Sequence, residues 1–331
     1  MNKIILFITF ILVNTSIHAQ YSPVNEDASK EAKMLLEYIY SLNDNILSGQ
    51  HSYNEKPSSY YEIAEEISGK EPALWGTDFY WNGKEDPGNR IVQEAILKHN
   101  KGSIITLMWH VGQPKDDSPF SWRESVQGKI SDQDWKDLLT PGTSLYQKWI
   151  IQVDQIAVHL KKLQENKIPV LWRPYHEMNG VWFWWGNKKG QDGFVKLWKQ
   201  LYDRLVKHHQ LNNLIWVWNA NGPRDIPGDE AYDYEDFFPG MEYVDILATD
   251  VYHGDYEQKD YNQLVNLAKG KPIALGEVGQ LPKPIILESQ PKWSWFMVWS
   301  NWIETANSPE RVNEIYKYEK TITKDEIQFP N

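Results

Sequence analysis

The chain has 331 residues, no cysteine, and 45 acidic against 34 basic side chains, a formal net charge of −11. Without cysteine there are no disulfides and no lipid-modified thiol, so stability must come from a large core. The acidic balance argues against nucleic acid or an anionic membrane as partner and suits a neutral ligand.

The first nineteen residues read as a secretory signal. Lys3 supplies positive charge, Ile4 to Val13 form an apolar core, and Ile17-His18-Ala19 fits a small-residue cleavage site. The apolar run is about ten residues, too short to cross a bilayer as a helix. Export is expected, periplasmic or extracellular, with no membrane anchor in the mature form. Residues 20–331 are expected to form one domain, because no Pro/Gly/Ser-rich linker, repeat or low-complexity tract divides them.

A helix over Ala28–Leu42 leads into a series of short apolar runs. Strands are expected at Ile46–Gln50, Ala73–Asp78, Ser103–Trp109, Pro169–Arg173, Leu214–Trp218, Val244–Thr249, Pro272–Gly276 and Ser294–Trp299. Each is apolar throughout, as in parallel strands buried on both faces. Amphipathic helices are expected at Ser58–Ile67, Arg90–Lys98, Leu145–Gln164, Gly193–His208, Tyr261–Leu267 and Glu310–Lys317. No helix is evident after strands five and seven. Eight strand–helix units predict an α/β fold, a (β/α)₈ TIM barrel. An open doubly wound sheet would carry a Gly-rich phosphate turn after its first strand, and Leu47-Ser48-Gly49-Gln50-His51 is not one. The stretch Val111 to Gly142, with Trp122 and Trp135, is the longest insertion. It either walls one side of a cleft or packs its own tryptophans.

A barrel gathers its functional groups at the C-terminal ends of its strands. Those ends here carry His51, Asp78 to Trp81, His110, Arg173, His176, Glu177, Trp218, Asn219, Asp250, Tyr252, Glu277 and Trp299. The densest cluster follows strand four: Arg173, His176, Glu177 and Asn179, then Trp182, Trp184 and Trp185. Flat rings beside a titratable group suit a sugar-cleaving cleft. A core would absorb about half of the 17 tryptophans and 18 tyrosines. Two strand-end carboxylates stand out, Glu177 and, between glycines, Glu277. Glycosidic cleavage needs two carboxyl groups flanking the bond. His176-Glu177 lacks the second histidine of a zinc helix, because position 180 is Gly. His51, His110 and His176 have no tight Cys/Asp ligand spacing to complete a metal site. Neither metal nor cofactor is expected.

At Arg173-Pro174-Tyr175-His176-Glu177-Met178-Asn179-Gly180, Trp182-Phe183-Trp184-Trp185-Gly186 and Gly276-Glu277-Val278-Gly279, the chain resembles glycoside hydrolase family 26, whose typical members are β-mannanases. The resemblance runs from Leu47-Ser48-Gly49-Gln50-His51 to Phe296-Met297-Val298-Trp299. It implies a clan A barrel cleaving mannan, glucomannan or galactomannan with retention. Most of that clan carry Asn before the acid; His176 there is similar to family 26 in particular. Implied roles are acid/base for Glu177 and nucleophile for Glu277. His176 and Trp182 would contact the reacting sugar, and His110 would line the same subsite. Tyr252, following Asp250, would position Glu277. Trp299 would be the ring platform, with Trp295 and Trp302 close by in sequence. Proximity adds Arg173 as a support for the carboxylates. Mixed-linkage β-glucan or β-1,3-xylan as substrate, and a non-catalytic carbohydrate-binding barrel, remain open. A monomer binding a polysaccharide or oligosaccharide is expected. Apolar and like-charge surroundings should keep Glu177 protonated, and hydrogen bonds should keep Glu277 charged.

Overall fold

A computed structural model describes residues 21–79, 86–117 and 119–329. The expected signal segment lies outside the described residues, as do Tyr80 and Trp81 at the end of strand two. Among the described residues no helix is long and apolar enough to cross a membrane.

Eight parallel strands close into a barrel: β1 Ile46–His51, β2 Leu74–Asp78, β3 Ile104–Trp109, β4 Val170–Pro174, β5 Leu214–Asn221, β6 Ile246–Val251, β7 Ile273–Val278 and β8 Trp293–Val298. Neighbours pair in chain order, and β1 closes the ring by pairing with both β2 and β8. Helices surround it, so the fold is a (β/α)₈ barrel. A two-residue strand, β9 (Thr321–Ile322), pairs with the start of β1, where Ile46 and Leu47 have no partner on β2.

All eight strands are buried along their whole length. Their side chains alternate between two cores. Leu47, Leu74, Ile104, Leu171, Ile215, Ile246, Ala274, Trp295 and Met297 fill the barrel interior. Trp75, Ile105, Trp172, Trp216, Leu247, Leu275 and Phe296 face the helices. Gly49 lies against Met297, and a Cβ there would sit 2.6 Å from the Phe296 carbonyl and 3.0 Å from Met297 Cε. The helix Lys30–Tyr40, ahead of β1, packs Leu35, Leu36 and Ile39 into the interior cluster. Ser29 starts it by accepting the Ala32 N–H, the usual N-cap bond.

The expected helices are present with shifted ends. The helix expected over Gly193–His208 is α-helical only from Phe194 to Tyr202 and continues as a π-helical turn, Asp203–His208. After β5 there is no α-helix, only 3₁₀ turns at Tyr234–Phe237 and Met241–Tyr243. Pro223, Pro227 and Pro239 interrupt any longer helical run. After β7 there is one short helix, Pro284–Ser289.

Candidate active site

The loop after β4 is built around two unfavourable backbone positions. Tyr175 and Glu177 take φ values of 49° and 53°, a left-handed conformation that costs a non-glycine residue about 1–3 kcal/mol. Buried tryptophans hold it there. Trp149 Nε1 donates to the Tyr175 hydroxyl at 3.0 Å, Trp185 Nε1 to the His176 carbonyl at 2.8 Å, and Trp184 Nε1 to the Val111 carbonyl at 2.8 Å. Glu177 N–H donates to the Asn219 carbonyl at 2.7 Å. This divides the tryptophan cluster read from the sequence. Trp184 and Trp185 are fully buried struts, and only Trp182 keeps an accessible ring.

Glu177 and Glu277 come together from the ends of β4 and β7, three strands apart around the barrel. The Glu277 carboxylate accepts from Arg173 Nη2 at Oε1 and from the Tyr252 hydroxyl at Oε2, both at 2.7 Å. His176 Nε2 lies 3.4 Å from the same Oε1. Arg173 is also anchored by the Gly276 carbonyl. Glu177 accepts from Trp182 Nε1 at Oε2 (2.6 Å) and from Asn221 Nδ2 at Oε1 (2.7 Å). Every oxygen of the pair therefore has a fixed donor. Burial pushes Glu277 up to about 7, against Arg173 and the Tyr252 hydroxyl, and the charge of Glu177 adds to the rise. The hydrogen bonds expected to keep Glu277 charged are in place, yet burial outweighs them.

The remaining candidates fall around these two. His110 has its Nδ1 2.7 Å from Asp78 Oδ2, and its own N–H donates to Asp78 Oδ1 at 3.0 Å. Its ring meets His176 edge-on at 4.4 Å. Burial, then the charges of His110 and Arg173, push His176 well below its ordinary value, so its ring is neutral. Trp299 is partly exposed, whereas Trp295 is buried in the barrel interior and Trp302 packs on Tyr252 at 5.2 Å. Asp250 is buried beside His176 and Glu177, with no exposed area. Its Oδ1 accepts from Asn219 Nδ2 at 2.7 Å. Burial, with the charges of Glu277 and Glu177 nearby, pushes it well above the usual carboxylate range. The two tryptophans of the Val111–Gly142 insertion go to different places. Trp122 places its ring 4.9 Å from His110, while Trp135 packs on Trp184.

Two contributors, Asn221 and Arg224, escape a reading of the sequence alone, and a third, Asn179, stood in the strand-four cluster without a role. Asn221 donates to Glu177, but the strand was expected to end at Trp218. Only the run Asn219-Ala220-Asn221-Gly222 hinted at more. Asn179 ties the two loops, donating to the Asn221 and Tyr232 carbonyls and accepting the Asn221 N–H, each at 2.8 Å. Arg224 lies over the Trp182 ring at 4.8 Å and donates to Asn221 Oδ1. That bond fixes which way the Asn221 amide faces. Among the described residues, one group of donor atoms is close enough to suggest a metal: His176, Glu177 and Asp250, within 4.8 Å of one another. N–H donors already occupy both Glu177 oxygens and Asp250 Oδ1, and Arg173 supplies positive charge next to them, so this trio is poorly suited to a cation.

The model of glycosyl hydrolase family 26 matches residues 24–326. The mannan endo-1,4-beta-mannosidase of Thermothelomyces thermophilus is 37% identical over 92% of this chain and 63% of its own length. Mannan endo-1,4-beta-mannosidase A of a Piromyces species is 30% identical over 92% of this chain and 50% of its own length. The chain thus spans about half to two thirds of these curated relatives. Among solved structures, GH26A from a Muricauda species is 79% identical with a TM-score of 0.91, covering 92% of this chain and 100% of that one. A β-mannanase from a symbiotic protist of the termite Reticulitermes speratus, complexed with gluco-manno-oligosaccharide, is 30% identical with a TM-score of 0.80, covering 93% and 98%.

Proposed function

The chain belongs to glycosyl hydrolase family 26, and from that premise we propose that it hydrolyses internal β-1,4-mannosidic linkages in mannan, glucomannan or galactomannan by a retaining double displacement. Glu277, ionised, attacks the anomeric carbon. Glu177, protonated, gives its proton to the leaving oxygen. Water then attacks the glycosyl-enzyme, and Glu177 takes its proton. Arg173 and Tyr252 aim the Glu277 carboxylate and favour its charged form. Trp182 and Asn221 aim Glu177. His110 and His176 line the reacting subsite, and Trp299 is the flat face under the sugar.

The observation that carries this reading is the pair itself. Two buried carboxylates from β4 and β7 share one cluster, each oxygen held by a named donor. A carbohydrate-binding barrel has no use for such a pair. The test is reducing-end release from mannan, glucomannan, mixed-linkage β-glucan and β-1,3-xylan, with and without EDTA. Mannan cleavage into internal fragments, indifferent to EDTA, is expected. Glu277→Ala and Glu177→Ala should each remove several kcal/mol of transition-state stabilisation, by order of magnitude. Near wild-type activity in either folded variant refutes the assignment. Preference for another glucan or xylan would keep the mechanism and move the substrate.

A further inference from the structure

The run Leu47-Ser48-Gly49-Gln50-His51 has so far no part in the chemistry, yet its last two side chains are buried at the same end of the barrel as the carboxylates. Both reach the residue that follows Trp299. Gln50 Nε2 donates to the Ser300 carbonyl at 3.0 Å, and His51 Nδ1 lies 2.7 Å from Ser300 Oγ. Ser300 needs the help. Its φ is 36°, a left-handed value that is strained for any residue with a side chain. The same His51 ring stacks on Trp299, centroid to centroid 3.9 Å with planes 14° apart. An indole has two faces, and His51 covers one of them. A sugar can therefore lie only on the other. Tyr53 fixes the remaining freedom: it meets the Trp299 ring edge-on at 6.1 Å and donates to Asn301 Oδ1 at 3.2 Å.

We propose that Gln50 and His51 are positioning residues, which clamp the strained turn at Ser300 and so present one chosen face of Trp299 to the sugar beside the cleaved bond. The inference rests on the reading of Trp299 as the sugar platform. His51 suits the task because its stack needs no charge. Burial, and then the neighbouring charges of Arg173 and His110, hold it well below the ordinary histidine value, so the ring stays neutral.

A double-mutant cycle on kcat/KM for a manno-oligosaccharide tests this. The substitutions are His51→Leu, which keeps volume but removes the flat ring, and Trp299→Ala. His51→Leu alone should cost about tenfold to hundredfold, as for a misplaced substrate contact. In the Trp299→Ala background it should cost less than about twofold, because its target is gone. His51→Phe, which restores a ring to stack, should recover most of the loss. Should His51→Leu not fold, Ser300→Ala takes its place in the same cycle. Equal losses in both backgrounds would overturn the inference while leaving the platform intact. So would a His51→Phe protein no better than His51→Leu. Wild-type kcat/KM in Trp299→Ala itself would instead remove the platform reading, and the inference with it.

Discussion

Tyr252→Phe removes a single oxygen from the site. The hydroxyl donates to Glu277 Oε2 at 2.7 Å, and the ring packs against Trp302 at 5.2 Å, a contact phenylalanine keeps. A hydrogen bond to a charged group is worth about 1.5–3 kcal/mol. One pKa unit is about 1.4 kcal/mol, so losing the donor should raise Glu277 by about one to two units. The sign follows from the donor: a phenol O–H stabilises the ionised carboxylate, and without it the proton is held more tightly. Burial has already brought Glu277 up to about 7, so the acid limb of kcat/KM should sit near neutral pH in the wild type. That limb belongs to the interacting Glu177–Glu277 pair. In the variant it should move up by about one to two units, with activity at about pH 6 lower by roughly tenfold to hundredfold. The gap should narrow above the new limb. The assay is a pH profile of kcat/KM on a soluble manno-oligosaccharide. A loss of equal size at every pH, or a limb that stays put, refutes the idea that the hydroxyl sets the charge of Glu277.

Trp185→Phe keeps a buried ring but leaves the His176 carbonyl without its donor, which should cost about 1–3 kcal/mol in urea unfolding; no loss would mean that the strained loop does not depend on that bond. Asp245 gives a stability prediction far from the cleft. It accepts the Val24 and Trp216 N–H groups at 2.7 and 2.8 Å, and burial raises its carboxyl from 3.8 to about 6. The folded state therefore holds the proton more tightly than the unfolded one. Stability should fall by about 3 kcal/mol as pH rises from about 4 to about 6. Asp245→Asn should lack that slope, and parallel urea-midpoint profiles for the two proteins would contradict it. Retention is checked directly: proton NMR of a fresh digest should show the β-anomer first, because two inversions restore the starting configuration. The α-anomer appearing first would rule out the double displacement.

Much of this architecture is local in origin. Eight apolar runs separated by amphipathic helices are sufficient for the barrel, because a strand buried on both faces is apolar at most positions and its helices must carry one apolar stripe. The same uniformity hides register. Trp295 and Trp299 look alike in the chain, yet one fills the barrel interior and the other flanks the cleft. Strand-end position marks Glu177 and Glu277, since the chain must bring those ends together. It does not mark Asn221 or Arg224, whose bonds depend on the loop after β5 folding back onto the loop after β4, with bridges joining Ala231 to Gly180 and to Arg224.

The amino-acid sequence by itself determined the barrel, its two strand-end glutamates and an aromatic-rich rim, because those follow from hydrophobic period and residue type. Only the tertiary structure decided which tryptophans are struts and which keep an open face. It also decided that Asp250 is fully buried and that burial outweighs the donors around Glu277. These are properties of distance and solvent exclusion between segments up to two hundred and fifty residues apart, such as His51 and Ser300, and no local pattern encodes them.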